Sequence, residues 1–117
     1  MAAITRFHVG ARLSETAVHN GTVYLAGQVP DDKNADIRGQ TAQVLAMVER
    51  LLAEAGSDKS RILMAQIFLS DITDIAGMNE VWDAWIPAGQ TPPRATVQAA
   101  LAHQAWKIEI VVTAAQG

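Results

Sequence analysis

Hydrophobic and polar positions alternate along this chain with two periods, and the switches between them mark the elements. Residues 14–19 and 22–27 read as strands flanking Asn20-Gly21. That dipeptide favours a two-residue hairpin turn, because both central positions of a type I′ turn need positive φ. A short strand near residues 4–7 precedes the hairpin. Residues 28–36 hold Pro30, Asn34 and three aspartates, and read as loop. From 37 to 55 the period becomes helical: Ile37, Thr41, Val44, Leu45, Val48, Leu51, Leu52 and Ala55 form one stripe, and Gly56 stands ready to end the helix.

Residues 62–69 read as a strand with two apolar faces: Leu63, Ala65, Ile67 and Leu69 on one, Ile62, Met64, Gln66 and Phe68 on the other. Asp74 is suited to cap a second helix running to about residue 86, with a stripe of Ile75, Met78, Trp82, Trp85 and Ile86. Pro87 and Gly89 end it, and strands beginning at Arg94 and near Ile108 complete the chain. The order β-β-β-α-β-α-β-β has too few helices to cover both faces of a sheet. It predicts an α+β fold, a single domain over residues 1–117, with one sheet and two helices packed on one face. The other face would expose Ile62, Met64 and Phe68, which predicts a closed homo-oligomer.

Composition narrows the function classes. Half of the 117 residues are hydrophobic, which excludes a disordered chain, and the formal net charge of −3 argues against a nucleic-acid partner. There is no cysteine, so thiolate catalysis, disulfides and cysteine-ligated zinc are excluded. The first residues lack the apolar core of a signal peptide, and no apolar run approaches the ~20 residues that span a bilayer. A soluble cytoplasmic protein without membrane contact is expected.

The candidate chemistry lies towards the C-terminus. Pro92-Pro93 delivers Arg94 to the start of a strand, and Glu109 sits between Ile108 and Ile110. A cation and a carboxylate on otherwise apolar strands are costly to bury without partners, and together suggest an anion-binding site that moves a proton. Arg94 could clasp a substrate carboxylate bidentately, and its stiff approach suits that task; a surface or interface salt bridge is the plainer use. Glu109 could be a general acid/base, or simply a cross-strand partner of a nearby cation. If the last two strands form a hairpin, Gln98 pairs with Glu109, and Arg94 lies on the order of 13 Å from Glu109 along the same face. His8, His19 and His103 fall in different elements and lack the spacing of a helical metal pair. Asn79 borders the second helical stripe, where it could bond a ligand or a backbone group. Gly27 could admit a ligand close to the backbone, or simply end a strand. Trp82 and Trp85 match core or interface anchors.

Taken together, Gly27-Gln28-Val29-Pro30, Gln40-Thr41, Ala55-Gly56, Met78-Asn79, Pro93-Arg94 and Ile108-Glu109-Ile110 resemble the Rid/YjgF enamine/imine deaminase family, over nearly the whole chain. The words Trp82-Asp83-Ala84-Trp85 and Thr96-Val97-Gln98-Ala99 look like a YoaB-related bacterial branch. The resemblance implies a chorismate-mutase-like fold, a homotrimer with clefts between subunits, and hydrolysis without a cofactor. The implied substrates are 2-aminoacrylate or 2-iminobutanoate, converted to 2-keto acids and ammonia. By the same resemblance Arg94 grips the carboxylate and Glu109 handles water and protons. Backbone near Gly27 and Thr96 lines the pocket, with Asn79 in support.

The chain departs from the family archetype in three places. The archetype has tyrosine near Leu13-Ser14, serine at Ala26 and cysteine at Thr96. These exchanges alter hydroxyl and thiol groups near the pocket and bear on substrate preference. Arg12 and Ser14 are polar candidates for the pocket rim, or for a turn. A trimeric binding module for 2-keto acids or similar carboxylates is the alternative that Arg94 equally supports; Glu109 favours the enzyme. Ribonuclease activity, attached to some relatives, fits the acidic charge poorly.

Overall fold

The computed structural model describes residues 3–117. Six strands form one mixed sheet in the order β1-β2-β3-β6-β4-β5. They are β1 (Thr5–Val9), β2 (Ser14–His19), β3 (Thr22–Leu25), β4 (Ile62–Leu69), β5 (Arg94–Gln98) and β6 (Ile108–Ala115). The helices α1 (Ile37–Glu54) and α2 (Ile75–Trp85) lie against one face. A thickness of 20 Å along the shortest axis matches one layer of helices on one sheet.

The hairpin of β2 and β3 turns on Asn20 and Gly21, whose φ angles are 51° and 77°. Both lie in the left-handed region that the turn demands. Helix α1 buries its whole expected stripe, and Asp36 caps it by accepting a hydrogen bond from Gly39 N at 2.9 Å. Asp74 does occupy the N-cap of α2, but its side chain makes no capping bond. A 3₁₀ turn, Ile72–Asp74, leads into the helix, and the capping carboxylate there is Asp71, which accepts from Thr73 N at 2.9 Å.

Two expectations need correction. The first concerns the faces of β4. A bulge between Ile62 and Met64 shifts its register against β6. The extra residue turns Ile62 into the core and leaves Leu63 half exposed, the reverse of a strict period-two reading. Beyond the bulge, Ala65, Ile67 and Leu69 face the helices and are fully buried. The second concerns the last two strands, which do not form a hairpin. Strand β5 runs parallel to β4, reached through α2, while β6 inserts between β3 and β4 and is antiparallel to both. A strand–helix–strand unit favours parallel pairing, and residues 99–107 are too long for a hairpin loop.

The core forms where the helix-facing residues of β3, β4 and β6 meet the stripes of α1 and α2. The opposite face has no second layer. There Tyr24, Met64 and Val97 are 50%, 42% and 46% exposed, and Phe68 and Val111 are half buried. Among the described residues no helix is long and apolar enough to cross a membrane.

Candidate functional site

Strand register decides which candidate side chains can meet. Arg94 pairs with Ala65 and Thr96 with Ile67 across parallel strands, so both side chains leave the sheet on the helix side. Glu109 pairs with Phe68, on the open side. Arg94 and Glu109 of one chain therefore leave opposite faces of the sheet. Two strand spacings and three residues also separate them, roughly 14 Å between backbones. The expected shared face for Arg94 and Glu109 within one chain is overturned by this topology.

The Arg94 side is built at the edge of the sheet against α2. The guanidinium carbon lies 5.3 Å from the centre of the Trp82 ring, a cation–π contact. Such a contact is worth about 0.5–2 kcal/mol, and it orients the guanidinium plane. Trp82 is nearly buried and tilts against Trp85 at 5.7 Å, so the shelf itself is anchored. The ion pairs among the described residues are His8–Glu54, Arg38–Glu80 and Lys59–Glu49, and none engages Arg94. Two buried oxygens in these same elements, Asn79 Oδ1 and Thr96 Oγ1, have no hydrogen-bond partner. Asn79 lies one helical turn before Trp82, and Thr96 two residues after Arg94 on the same strand face. A half-buried cation without a carboxylate, beside the unpaired Thr96 hydroxyl, is an arrangement an anionic ligand would complete, whereas Asn79 Oδ1 is an acceptor and calls for a donor.

The Glu109 side lies at the end of the sheet where β2 and β6 begin. Gln28 and Ile110 exchange backbone hydrogen bonds of 2.9 and 3.1 Å, which brings Gly27 beside Glu109. A Cβ on Gly27 would stand 2.9 Å from Glu109 Cδ, so glycine here makes room for the carboxylate. A pocket of about 430 Å³ opens beside it, walled by Leu13, Val29, Met47, Ala102 and Trp106, with Glu15, Gln28 and Asp31 at its polar edge. Gln28 is buried and donates to Glu15 Oε2 at 3.3 Å and to Ala26 O at 3.0 Å. Ser14 is not in this wall. It shares the helix-facing side of β2 with Thr16 and Val18, while its neighbours Leu13 and Glu15 line the pocket.

Of the six residues singled out by sequence, the fold thus sorts Arg94, Thr96 and Asn79 to one side and Glu109 and Gly27 to the other, with Ser14 in neither. Of the histidines, His8 pairs with Glu54 at 2.9 Å, and His103 packs on Trp106 of the pocket wall at 5.6 Å between ring centres without lining the pocket itself. Sequence reasoning gave no part to Trp106 or to the side chain of Gln40. Gln40 falls beside Thr41 on the apolar stripe of α1 and is fully buried there, and a polar residue at a core position was the available signal.

The family model described as "Endoribonuclease L-PSP" matches residues 3–116. A "RutC family protein" of Haemophilus ducreyi is 49% identical over 112 residues, covering 96% of each chain. The "RutC family protein YoaB" of Escherichia coli is 47% identical over 112 residues, 96% of this chain and 97% of its own. A crystal structure of a YjgF-family protein from Neisseria meningitidis superposes with a TM-score of 0.96 at 47% identity, covering 98% of this chain and 96% of that one.

Proposed function

Because this chain belongs to the YjgF/Rid family, we propose that it hydrolyses small 2-enamino and 2-imino acids to 2-keto acids and ammonia, at clefts between the copies of a homotrimer. The observation that carries this reading is the division of its groups. Arg94 and Glu109 leave opposite sheet faces, so a site that uses both takes Arg94 from one copy and Glu109 from the next. The uncovered apolar face supplies a driving force for that assembly, at about 25 cal/mol for each Å² of apolar surface buried.

In the proposed reaction Arg94 clasps the substrate carboxylate, with Thr96 donating from its hydroxyl and Asn79 adding an amide contact. A protonated imine is already electrophilic at its C=N carbon. Water adds to that carbon as Glu109 accepts its proton, giving a tetrahedral carbinolamine. Glu109 returns the proton to the nitrogen and takes up the carbinol hydroxyl proton as the C–N bond breaks, so that the carbonyl forms and the departing ammonia carries that proton away as ammonium. Gly27 keeps the space in which the Glu109 carboxylate works.

The test generates 2-iminobutanoate or 2-aminoacrylate in situ and follows its loss in competition with semicarbazide. Wild type accelerates the loss, and Arg94→Ala does not, a fall of at least 100-fold being expected for loss of a bidentate clamp. A wild type that leaves the imine untouched but still binds 2-oxobutanoate would replace this reading with a binding module for 2-keto acids.

A further inference from the structure

We propose that Gln40 is a positioning residue for the reaction, the clamp that holds both walls of the Glu109 pocket; this rests on the hydrolytic reading above. The side chain is fully buried in the first turn of α1, yet it bonds only to backbone outside the helix. Its Nε2 donates to Lys33 O at 3.3 Å, Ala35 O at 3.1 Å and Ala105 O at 3.1 Å. Its Oε1 accepts from Lys107 N at 2.7 Å. One amide thus ties two loops that have no strand between them. Residues 28–36 contribute Gln28, Val29 and Asp31 to the pocket, and residues 99–107 contribute Ala102 and Trp106.

The placement of these bonds argues for more than stability. Lys107 is two residues from Glu109, and Ala105 adjoins Trp106. The clamp therefore fixes the backbone on both sides of the aromatic wall and at the entry of the strand that bears the carboxylate. The other cross-loop contact, Lys33 Nζ to His103 Nε2 at 3.5 Å, is long and exposed. An amide suits these four backbone partners, its two N–H groups being shared among three carbonyls while its oxygen accepts from the Lys107 N–H. Arg94 leaves the sheet on the face opposite Glu109, two strands away on β5, and shares none of these contacts. The carboxylate-gripping half is consequently independent of the clamp within a chain.

The experiment compares wild type, Gln40→Met and Gln40→Glu, measuring kcat, KM and 2-oxobutanoate affinity well below each melting temperature, with amide hydrogen exchange across residues 99–107. Gln40→Met keeps the volume and removes all four bonds. Its kcat is expected to fall roughly 10- to 100-fold while 2-oxobutanoate affinity stays within about twofold, since small misplacement of a reacting group costs that much. Exchange should quicken at Trp106 and Lys107. Gln40→Glu keeps the acceptor, and a donor only while protonated. Its carboxyl faces three carbonyls in a buried site, so ionisation is disfavoured and breaks the clamp once it occurs. Its activity should decline with rising pH relative to wild type and return on acidification; this reads the clamp even if Gln40→Met does not fold. A folded Gln40→Met that retains wild-type kcat, or a Gln40→Glu pH profile that overlays wild type, would overturn the proposal. An inactive wild type would instead sink the hydrolytic reading, and is distinguished from failure of the clamp because the exchange measurement needs no turnover.

Discussion

At the scale of single residues, Gly27 and Glu109 are the most tightly coupled pair. The missing side chain of one is the space of the other, with 2.9 Å from a would-be Cβ to Glu109 Cδ. The displaced group in a Gly27→Ala variant is the end of a flexible side chain, so the fold gives way easily and the chemistry does not. Gly27→Ala is expected to melt within a few degrees of wild type, while kcat drops on the order of 10- to 100-fold. Steady-state kinetics beside a thermal melt would check this, and a variant with unchanged kcat would remove Glu109 from the chemistry or Gly27 from its control. Arg94 was legible in the sequence because a cation follows two prolines into an apolar strand. Its companion Trp82 was legible only as an apolar position, since no local pattern reports which side chain will lie over an indole ring. The pocket around Glu109 was least legible of all. Its wall draws on Leu13, Met47 and Trp106, far apart along the chain, and only the completed sheet brings them together.

At the scale of elements, the helices and strands were readable because each buries a stripe or a face of uniform chemistry. The stripe of α1 from Ile37 to Leu52 and the alternation of β6 both agree with period alone. Pairing partners were less readable. Nothing local to residues 94–98 distinguishes a parallel neighbour from an antiparallel one, and the preceding helix was the cue that mattered. The bulge at Leu63 illustrates the same point, since one inserted residue exchanged the faces of Ile62 and Leu63 without any break in hydrophobicity.

Two short turns that introduce β4 and α2 carry a pH signature at this scale. Asp58 is held below its ordinary value of 3.8 by hydrogen bonds from the Ser60 hydroxyl and then its backbone N–H, and Asp71 is held below 3.8 likewise by Thr73. A carboxyl with a lowered folded pKa stabilises fully above its unfolded value, and that contribution is lost as pH falls through the folded value. Both caps therefore support the fold above about pH 3.8 and release it below. Melting temperatures recorded from neutral to strongly acid pH should decline less steeply in an Asp58→Asn, Asp71→Asn double variant than in wild type. Equal acid slopes would show that these caps do not contribute.

At the scale of the whole molecule, one sheet with helices on a single face leaves Tyr24, Met64 and Val97 exposed and the two candidate half-sites turned away from each other. Both features support the assembly proposed above. A trimer in which each copy offers its Arg94 edge to the Glu109 pocket of the next would cover the apolar face and complete three sites. The apolar pattern and the family resemblance each lead to the expectation of an oligomer. The opposed faces of Arg94 and Glu109 were not legible, because they depend on strand pairing, and the assumed hairpin put both groups on one face.

The central claim is that a working site joins Arg94 of one copy to Glu109 of another, and subunit mixing tests it most directly. Arg94→Ala and Glu109→Gln chains are each inactive in the imine assay on this account. Refolded together at equal ratio into mixed trimers, verified by mass, they should recover activity in about a quarter of the sites, as random cyclic assembly requires. Mixed trimers that remain as inactive as either parent would contradict it.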